Sequence, residues 1–111
     1  MSAETSVVIE PEGEIDLHSS AMVREQLEPL IASERGVIVV DLSRVNYIDS
    51  SGLALFIEVM QRVQNYGGRF ALCGLRDNVR HIMEIARLDQ VFQLFPDSAA
   101  ALAPGGIAAN G

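Results

Sequence analysis

The sequence contains no lysine and no tryptophan, and its 111 residues include one cysteine. Because all eight basic residues are arginines, there is no candidate for a P-loop lysine, a Schiff-base lysine or a lysine general base. The single cysteine, Cys73, excludes an internal disulfide, and its position in an apolar segment predicts a buried thiol. No apolar run approaches the roughly 20 residues that span a bilayer. The opening Met-Ser-Ala-Glu-Thr lacks the features of a signal peptide, so we expect a cytoplasmic protein.

Recognisable enzyme motifs are missing as well. Neither Gly-x-Gly-x-x-Gly nor Gly-x-Ser-x-Gly occurs. His18 and His81 lie far apart in the sequence, and no set of histidines, cysteines or carboxylates has convincing metal-site spacing. A catalytic pair formed by Asp41 and Asp49 is disfavoured, because a carboxylate at the end of a strand more often forms a turn. The sequence therefore predicts a protein that is not an enzyme and that needs no metal or cofactor.

The negative charge is concentrated in the first third of the chain. The net charge is -7, and residues 1–34 contain eight of the 15 acidic residues but one arginine, so the rest of the chain is balanced. This distribution disfavours nucleic acid and anionic membranes as partners of that end, and it favours a basic protein surface. An acidic face that contacts only solvent is the alternative.

Apolar segments of strand length alternate with amphipathic helical segments. The alternation predicts a single α/β domain with a mixed, mostly parallel sheet of about four to five strands and helices packed on it. The turn residues 11–13, between two short apolar segments, predict an N-terminal hairpin at one edge. We expect a core that covers about residues 6–103 and a flexible tail at 104–111. The predicted strands are 6–10, 14–15, 37–42, 70–73 and 91–95. The first predicted helix is capped by Asp16 and has an apolar stripe at Met22, Val23, Leu27, Leu30 and Ile31. The other predicted helices are 49–65, 76–87 and 99–102.

The central segment is 37–53, in which a buried strand leads through a short apolar connection into a helix that begins at Asp49-Ser50-Ser51-Gly52. Asp and Ser side chains accept hydrogen bonds from the free amides of a first helical turn, so this group is typical of a helix start. Glycine in a helix costs roughly 1 kcal/mol relative to alanine. The presence of Gly52 in the first turn therefore indicates a close approach, and we expect it to let the backbone of a partner reach the helix start beside two hydroxyls.

The segment Tyr47-Ile48-Asp49-Ser50-Ser51-Gly52-Leu53, after an apolar strand that ends in Asp41-Leu42 and before an amphipathic helix, resembles the STAS domain of bacterial anti-sigma factor antagonists. The resemblance covers about residues 6–103. One position departs from the pattern, because many members have a glycine where this chain has Ala54. Further similar segments are Gly13-Glu14-Ile15-Asp16, Gly67-Gly68 before Phe70 to Gly74, and Leu88 to Phe95.

The resemblance implies a partner switch that phosphorylation controls. Ser50 matches the serine that the partner, an anti-sigma factor with serine kinase activity, phosphorylates in this family. The unphosphorylated protein would bind that anti-sigma factor and free a sigma factor for transcription, and a serine phosphatase would reset it. ATP would belong to the kinase. By resemblance the partner-binding residues are Asp16, Asp49, Ser50, Ser51, Gly52 and Leu53.

Two other functions remain open. STAS-like domains also occur as constitutive subunits of larger assemblies, including stress-signalling scaffolds and a lipid-transport ATPase complex, without modification of the serine. A small-ligand or nucleotide binder could instead use the helix start as an anion site. Phosphorylation by a cognate kinase distinguishes the switch from the constitutive subunit, and saturable nucleotide binding identifies the third function.

Overall fold

The computed structural model describes residues 6–107. Strands and helices alternate along this part of the chain, as the sequence pattern predicts. The elements are β1 (Ser6–Ile9), β2 (Gly13–Ile15), α1 (Ser19–Ala32), β3 (Val37–Asp41), β4 (Val45–Ile48), α2 (Ser50–Asn65), β5 (Arg69–Cys73), α3 (Asp77–Ile85), a 3-10 helix (Leu88–Gln90), β6 (Gln93–Phe95) and α4 (Ser98–Leu102).

The strands form a four-stranded sheet in the order β1-β3-β5-β6 and a two-stranded sheet that pairs β2 with β4. All of these pairings are parallel, which confirms the predicted α/β class with a mostly parallel sheet. Residues 45–48, expected to be a connection, form β4. Helices cover the four-stranded sheet on both faces, because its central strands are apolar on both sides.

The predicted N-terminal hairpin is wrong, because β1 pairs with β3 and β2 pairs with β4. The three residues between β1 and β2 do not reverse the chain. Gly13, with φ of +82°, marks a register shift, and its amide donates a hydrogen bond of 2.9 Å to the carbonyl of Arg44. The chain therefore bends at 10–12 and continues in the same direction, and β2–β4 extends the pairing that β1–β3 begins.

The core has two parts, one on each face of the four-stranded sheet. Side chains of β3 and β5 alternate, so that one set packs with α1, α2 and α3 and the other with α4. Cys73 belongs to the second set and is fully buried, as predicted. Ile107 is 5% exposed in the same cluster, and its carbonyl accepts a hydrogen bond from Arg69 at 3.3 Å. Ile107 thus packs on the domain within the segment that we expect to be a flexible tail, while 108–111 lie outside the described residues.

Several boundaries differ from the prediction by a few residues. The first helix begins at Ser19 and ends at Ala32, three residues after the internal Pro29. In the predicted strand at 91–95, residues 93–95 alone are extended, because the amides of Val91 and Phe92 both donate hydrogen bonds of 3.0 Å to the carbonyl of Leu88 in the preceding 3-10 helix. Within the described part of the chain, no helix combines the length and the apolar character needed to cross a bilayer.

Four charged side chains join α1 to α2. Arg24 donates two hydrogen bonds of 2.7 Å to Glu58, and Arg62 donates two to Glu28 at 2.7 and 3.0 Å. Arg24 also lies 3.5 Å from Glu28, and Arg62 lies 3.4 Å from Glu58. The four side chains are half-buried and still in contact with solvent, so each pair stabilises the fold weakly, and the network mainly favours one orientation of the two helices. The sequence shows the i,i+4 pairs within each helix but not the bridges between helices.

Candidate functional site

The start of α2 is capped by Asp49, as predicted. Asp49 has an extended backbone, and its Oδ1 accepts hydrogen bonds from the amides of Ser51 at 2.8 Å and Gly52 at 3.3 Å. Its carbonyl accepts the first helical bond, from the amide of Leu53 at 3.1 Å. Two amides of the first turn are therefore already hydrogen-bonded before any modification of Ser50.

Gly52 is buried, and the space beside it is occupied by the domain itself. A Cβ at this position would lie 2.7 Å from Cγ1 of Ile48 and 2.8 Å from Cγ2 of Ile15. Both isoleucines are 1% exposed at the ends of β4 and β2. The close approach indicated by the glycine is thus between α2 and the two-stranded sheet. The interpretation that Gly52 leaves room for a partner's backbone is corrected by this packing.

The remaining residues of the motif differ in accessibility. Ser50 is exposed at the first position of α2, whereas Asp49 and Ser51 are half-buried. Leu53 is half-buried and packs against the core. Ser50 is therefore the exposed residue among 49–53, and a serine hydroxyl can accept a phosphoryl group.

The sheet brings Asp16 to the start of α2. β2 and β4 are parallel, with Ile15 paired to Ile48, so the residues that follow both strands lie at the same edge. The amide of Asp49 donates a hydrogen bond of 3.1 Å to the carbonyl of Ile15. Asp16 and Ser50, which are 34 positions apart in the sequence, thus belong to neighbouring segments of one surface.

Asp16 is held in a tight turn before α1. Its Oδ1 accepts hydrogen bonds from the amides of Ser19 at 2.9 Å and His18 at 3.0 Å. Hydrogen bonds from the backbone and the side chain of Ser19 hold the pKa of Asp16 below its ordinary value. Asp16 is therefore an anion at neutral pH, and its carboxylate acts as a helix-start acceptor although His18 is the residue directly before α1.

Three exposed apolar side chains lie around this surface, and the sequence pattern does not predict their exposure. Leu17 is 71% exposed, Met22 is 67% exposed and Tyr47 is 44% exposed. The sequence pattern predicts Met22 in the apolar stripe of α1, but the buried residues of that helix are Val23, Leu27 and Ile31, so Met22 faces outward. The sequence alone does not indicate that Tyr47 is exposed. Its exposure follows from the pairing of β4 with β2, in which Tyr47 lies opposite the exposed Glu14.

Two small cavities lie in the described part of the chain. A cavity of about 250 Å³ lies at the start of β1, β3 and β5 under the segment 101–107, and one of about 100 Å³ lies between α1 and the β1–β2 connection. Ligand pockets measure roughly 300–1,000 Å³. Ser50 lines neither cavity, so the described residues offer little support for a nucleotide site at the helix start. Within residues 6–107 there is also no group of three or more His, Cys, Asp or Glu that could hold a metal ion.

Comparisons with known proteins agree on one family. The STAS domain family model matches residues 2–101. The chain is 32% identical over 82 residues to the anti-sigma-B factor antagonist of Listeria monocytogenes, which covers 74% of this chain and 72% of that protein.

Solved structures share the fold. An anti-sigma factor antagonist from Mycobacterium paratuberculosis superposes with a TM-score of 0.80 at 24% identity, covering 92% of this chain and 86% of that one. The Bacillus cell fate determinant SpoIIAA in its phosphorylated form superposes with a TM-score of 0.64 at 24% identity, and the match covers 85% of this chain and 86% of that one. At these identities the likeness shows the fold.

Proposed function

Since the chain belongs to the STAS domain family, we propose that it is an anti-sigma factor antagonist whose partner binding is switched by phosphorylation of Ser50. The observation that carries the proposal is that Ser50 is exposed at the first position of α2, directly after the capping Asp49, whose amide is hydrogen-bonded to the residue before Asp16. The name of the Listeria relative supports the class of function. A phosphorylated form of SpoIIAA supports the view that this fold tolerates a phosphate.

In this proposal the unphosphorylated protein binds an anti-sigma factor that is also a serine kinase, and the complex releases a sigma factor for transcription. The partner transfers a phosphate to Ser50, which ends the complex, and a serine phosphatase removes it. The chain itself supplies the acceptor hydroxyl and the docking surface, and the kinase supplies ATP and the catalysis. The protein is then a regulator that works in the cytoplasm, where transcription takes place.

The capping geometry gives the switch a physical basis. A phosphate on Ser50 adds about -1.5 to -2 charge next to the carboxylate of Asp49. The positive end of the α2 dipole favours this charge. However, Asp49 already accepts hydrogen bonds from the amides of Ser51 and Gly52, so these donors are not free for the phosphate. The phosphate therefore projects its charge from the surface while the cap, and with it the fold, is retained.

A partner that fits neutral Ser50 has to desolvate this charge, at a cost of several kcal/mol if no basic group meets it. A loss of about 4 kcal/mol weakens binding roughly a thousandfold. That change is large enough to separate a bound state from a released state. The half-buried Asp49 orients the helix start in both states, because its cap contacts do not involve the Ser50 hydroxyl.

The test is the intact mass of the purified protein after incubation with ATP and each candidate anti-sigma kinase of the same genome. We expect one added phosphate on the wild-type protein and none on Ser50→Ala. Ser51→Ala is the matched control, because it removes the neighbouring hydroxyl and leaves the acceptor in place, and it should still gain a phosphate.

The proposal fails if the wild-type protein binds such a kinase tightly in the presence of ATP and remains unmodified. A constitutive STAS subunit of a larger assembly would then be the better description. Phosphorylation of Ser50→Ala to the wild-type level would show instead that the acceptor is another residue.

A further inference from the structure

A groove lies next to the Ser50 surface, between α1 and the connection from β1 to β2. Its volume is about 100 Å³, which is too small for a cofactor and comparable to one aliphatic side chain. Met22, 67% exposed, lines the groove together with the buried Val23 and Ile15. An exposed apolar side chain beside a concave apolar floor is typical of a site that receives a side chain of another protein.

The rim of the groove is acidic. Glu12 and Glu14 line it, and Asp16 follows β2 directly. Basic residues close to this rim in the described part of the chain include the exposed His18 and Arg44, and Arg44 is paired with Glu12 at 3.0 Å, while Arg24 of α1 is paired with Glu58. The carboxylates outnumber these groups, so the potential around the groove is negative at neutral pH and is complementary to a basic surface.

The groove is continuous with the Ser50 surface. Ser19 lines the groove, its amide donates a hydrogen bond to Asp16, and its hydroxyl donates one of 2.6 Å to the carbonyl of Glu14. Glu14 is paired in register with Tyr47 of β4, and β4 leads directly to Asp49 and Ser50. A protein segment seated in the groove is thus positioned beside the phosphorylation site.

We propose that this groove is a docking site, separate from Ser50, for a partner segment that presents an aliphatic side chain beside arginine or lysine. The aliphatic side chain packs on Met22 and the groove floor, and the basic residue faces Glu14, since Glu12 is already paired with Arg44. The inference rests on the proposed function, since the partner is the anti-sigma kinase. In this proposal the groove binds the kinase while Ser50 is phosphorylated.

The first experiment measures the affinity of Met22→Ser for the purified kinase that modifies the wild-type protein. We expect binding at least roughly tenfold weaker, as for a central apolar contact of an interface. The KM of the phosphorylation reaction should rise by a similar factor while kcat is retained, because the acceptor hydroxyl is untouched. Met22→Leu should restore binding. Leu102→Ser is the matched control: Leu102 is 42% exposed on α4, which packs on the opposite face of the sheet.

The second experiment tests the charge of the rim. Glu14→Gln should lower the association rate at about 0.01 M ionic strength, where the Debye length is about 30 Å, and the difference should shrink at about 0.15 M, where it is about 8 Å. Glu34→Gln is the matched control, because Glu34 is exposed beyond the far end of α1. Equal association rates for Glu14→Gln and Glu34→Gln at low salt would contradict the basic character of the partner.

The two proposals fail in different ways. If Met22→Ser, shown to be folded by circular dichroism, binds within twofold of the wild-type protein and has the same KM, the groove is not a docking site, while phosphorylation at Ser50 stands. If no anti-sigma kinase modifies the wild-type protein, the proposed function fails first. If Met22→Ser loses kcat with an unchanged KM, the groove acts on catalysis, which also overturns the docking proposal.

Discussion

Replacing Gly52 with alanine should destabilise this domain, although alanine is the better helix former. The new methyl group would lie 2.7 Å from Cγ1 of Ile48 and 2.8 Å from Cγ2 of Ile15. These atoms are branch carbons near the backbone of stiff, fully packed side chains, so they cannot move away as the end of a flexible chain can. The two strand ends under α2 would have to shift, and with them the loop of Asp16 relative to Ser50.

The expected size of the effect follows from two opposing terms. Overpacking a well-packed core costs about 1–3 kcal/mol, and alanine recovers about 0.5–1 kcal/mol relative to glycine in a helix. The free energy of unfolding should therefore fall by about 1–2 kcal/mol, which corresponds to a loss of several degrees in Tm. Chemical unfolding in urea, with the m-value checked for a two-state transition, measures this difference.

A control in the same helix separates the two terms. Ala54 is exposed two residues further on, so Ala54→Gly should destabilise by about 0.5–1 kcal/mol through helix propensity alone. Combining Gly52→Ala with Ile48→Ala should be less harmful than the sum of the single changes, because the methyl group then enters the space that the isoleucine leaves. A Gly52→Ala variant that is more stable than the wild-type protein would refute the packing argument.

Three further predictions concern single side chains. Asp49→Ala should lower the free energy of unfolding by about 1 kcal/mol through loss of the helix cap, as measured in urea. Hydrogen bonding to Arg24 holds the pKa of Glu58 below its ordinary value of 4.5. The wild-type protein should therefore be more stable than Glu58→Gln above that pH and lose its advantage as the pH falls below it; an unchanged difference at low pH would argue against the ion pair. Burial raises the pKa of Cys73 to about 12, so its thiol should react with an aromatic disulfide reagent after unfolding but not in the native protein at mildly alkaline pH.

The sequence predicted the helices and the central strands well because their local signals agree with the tertiary structure. The Asp-Ser-Ser group at 49–51 marks a helix start, and the Asn65-Tyr66-Gly67-Gly68 stop follows the observed end of α2 at Asn65. The prediction of an N-terminal hairpin is wrong because Pro11 and Gly13 are typical of a turn wherever they occur. Whether such residues reverse the chain or only bend it depends on which strands lie beside it, and that information is not local.

The sequence by itself determined the α/β class, the capped helix start that carries Ser50, and the family resemblance, because periodicity, capping and motif spacing are properties of adjacent residues. Tertiary structure alone decided that the segments of Asp16 and Ser50 are neighbours, since the parallel pairing of β2 with β4 aligns the strand ends before them. It also decided that Gly52 faces inward, because Ile15 and Ile48 come from two other strands. The groove at Met22 also depends on tertiary structure, because it forms only where α1 packs beside β2.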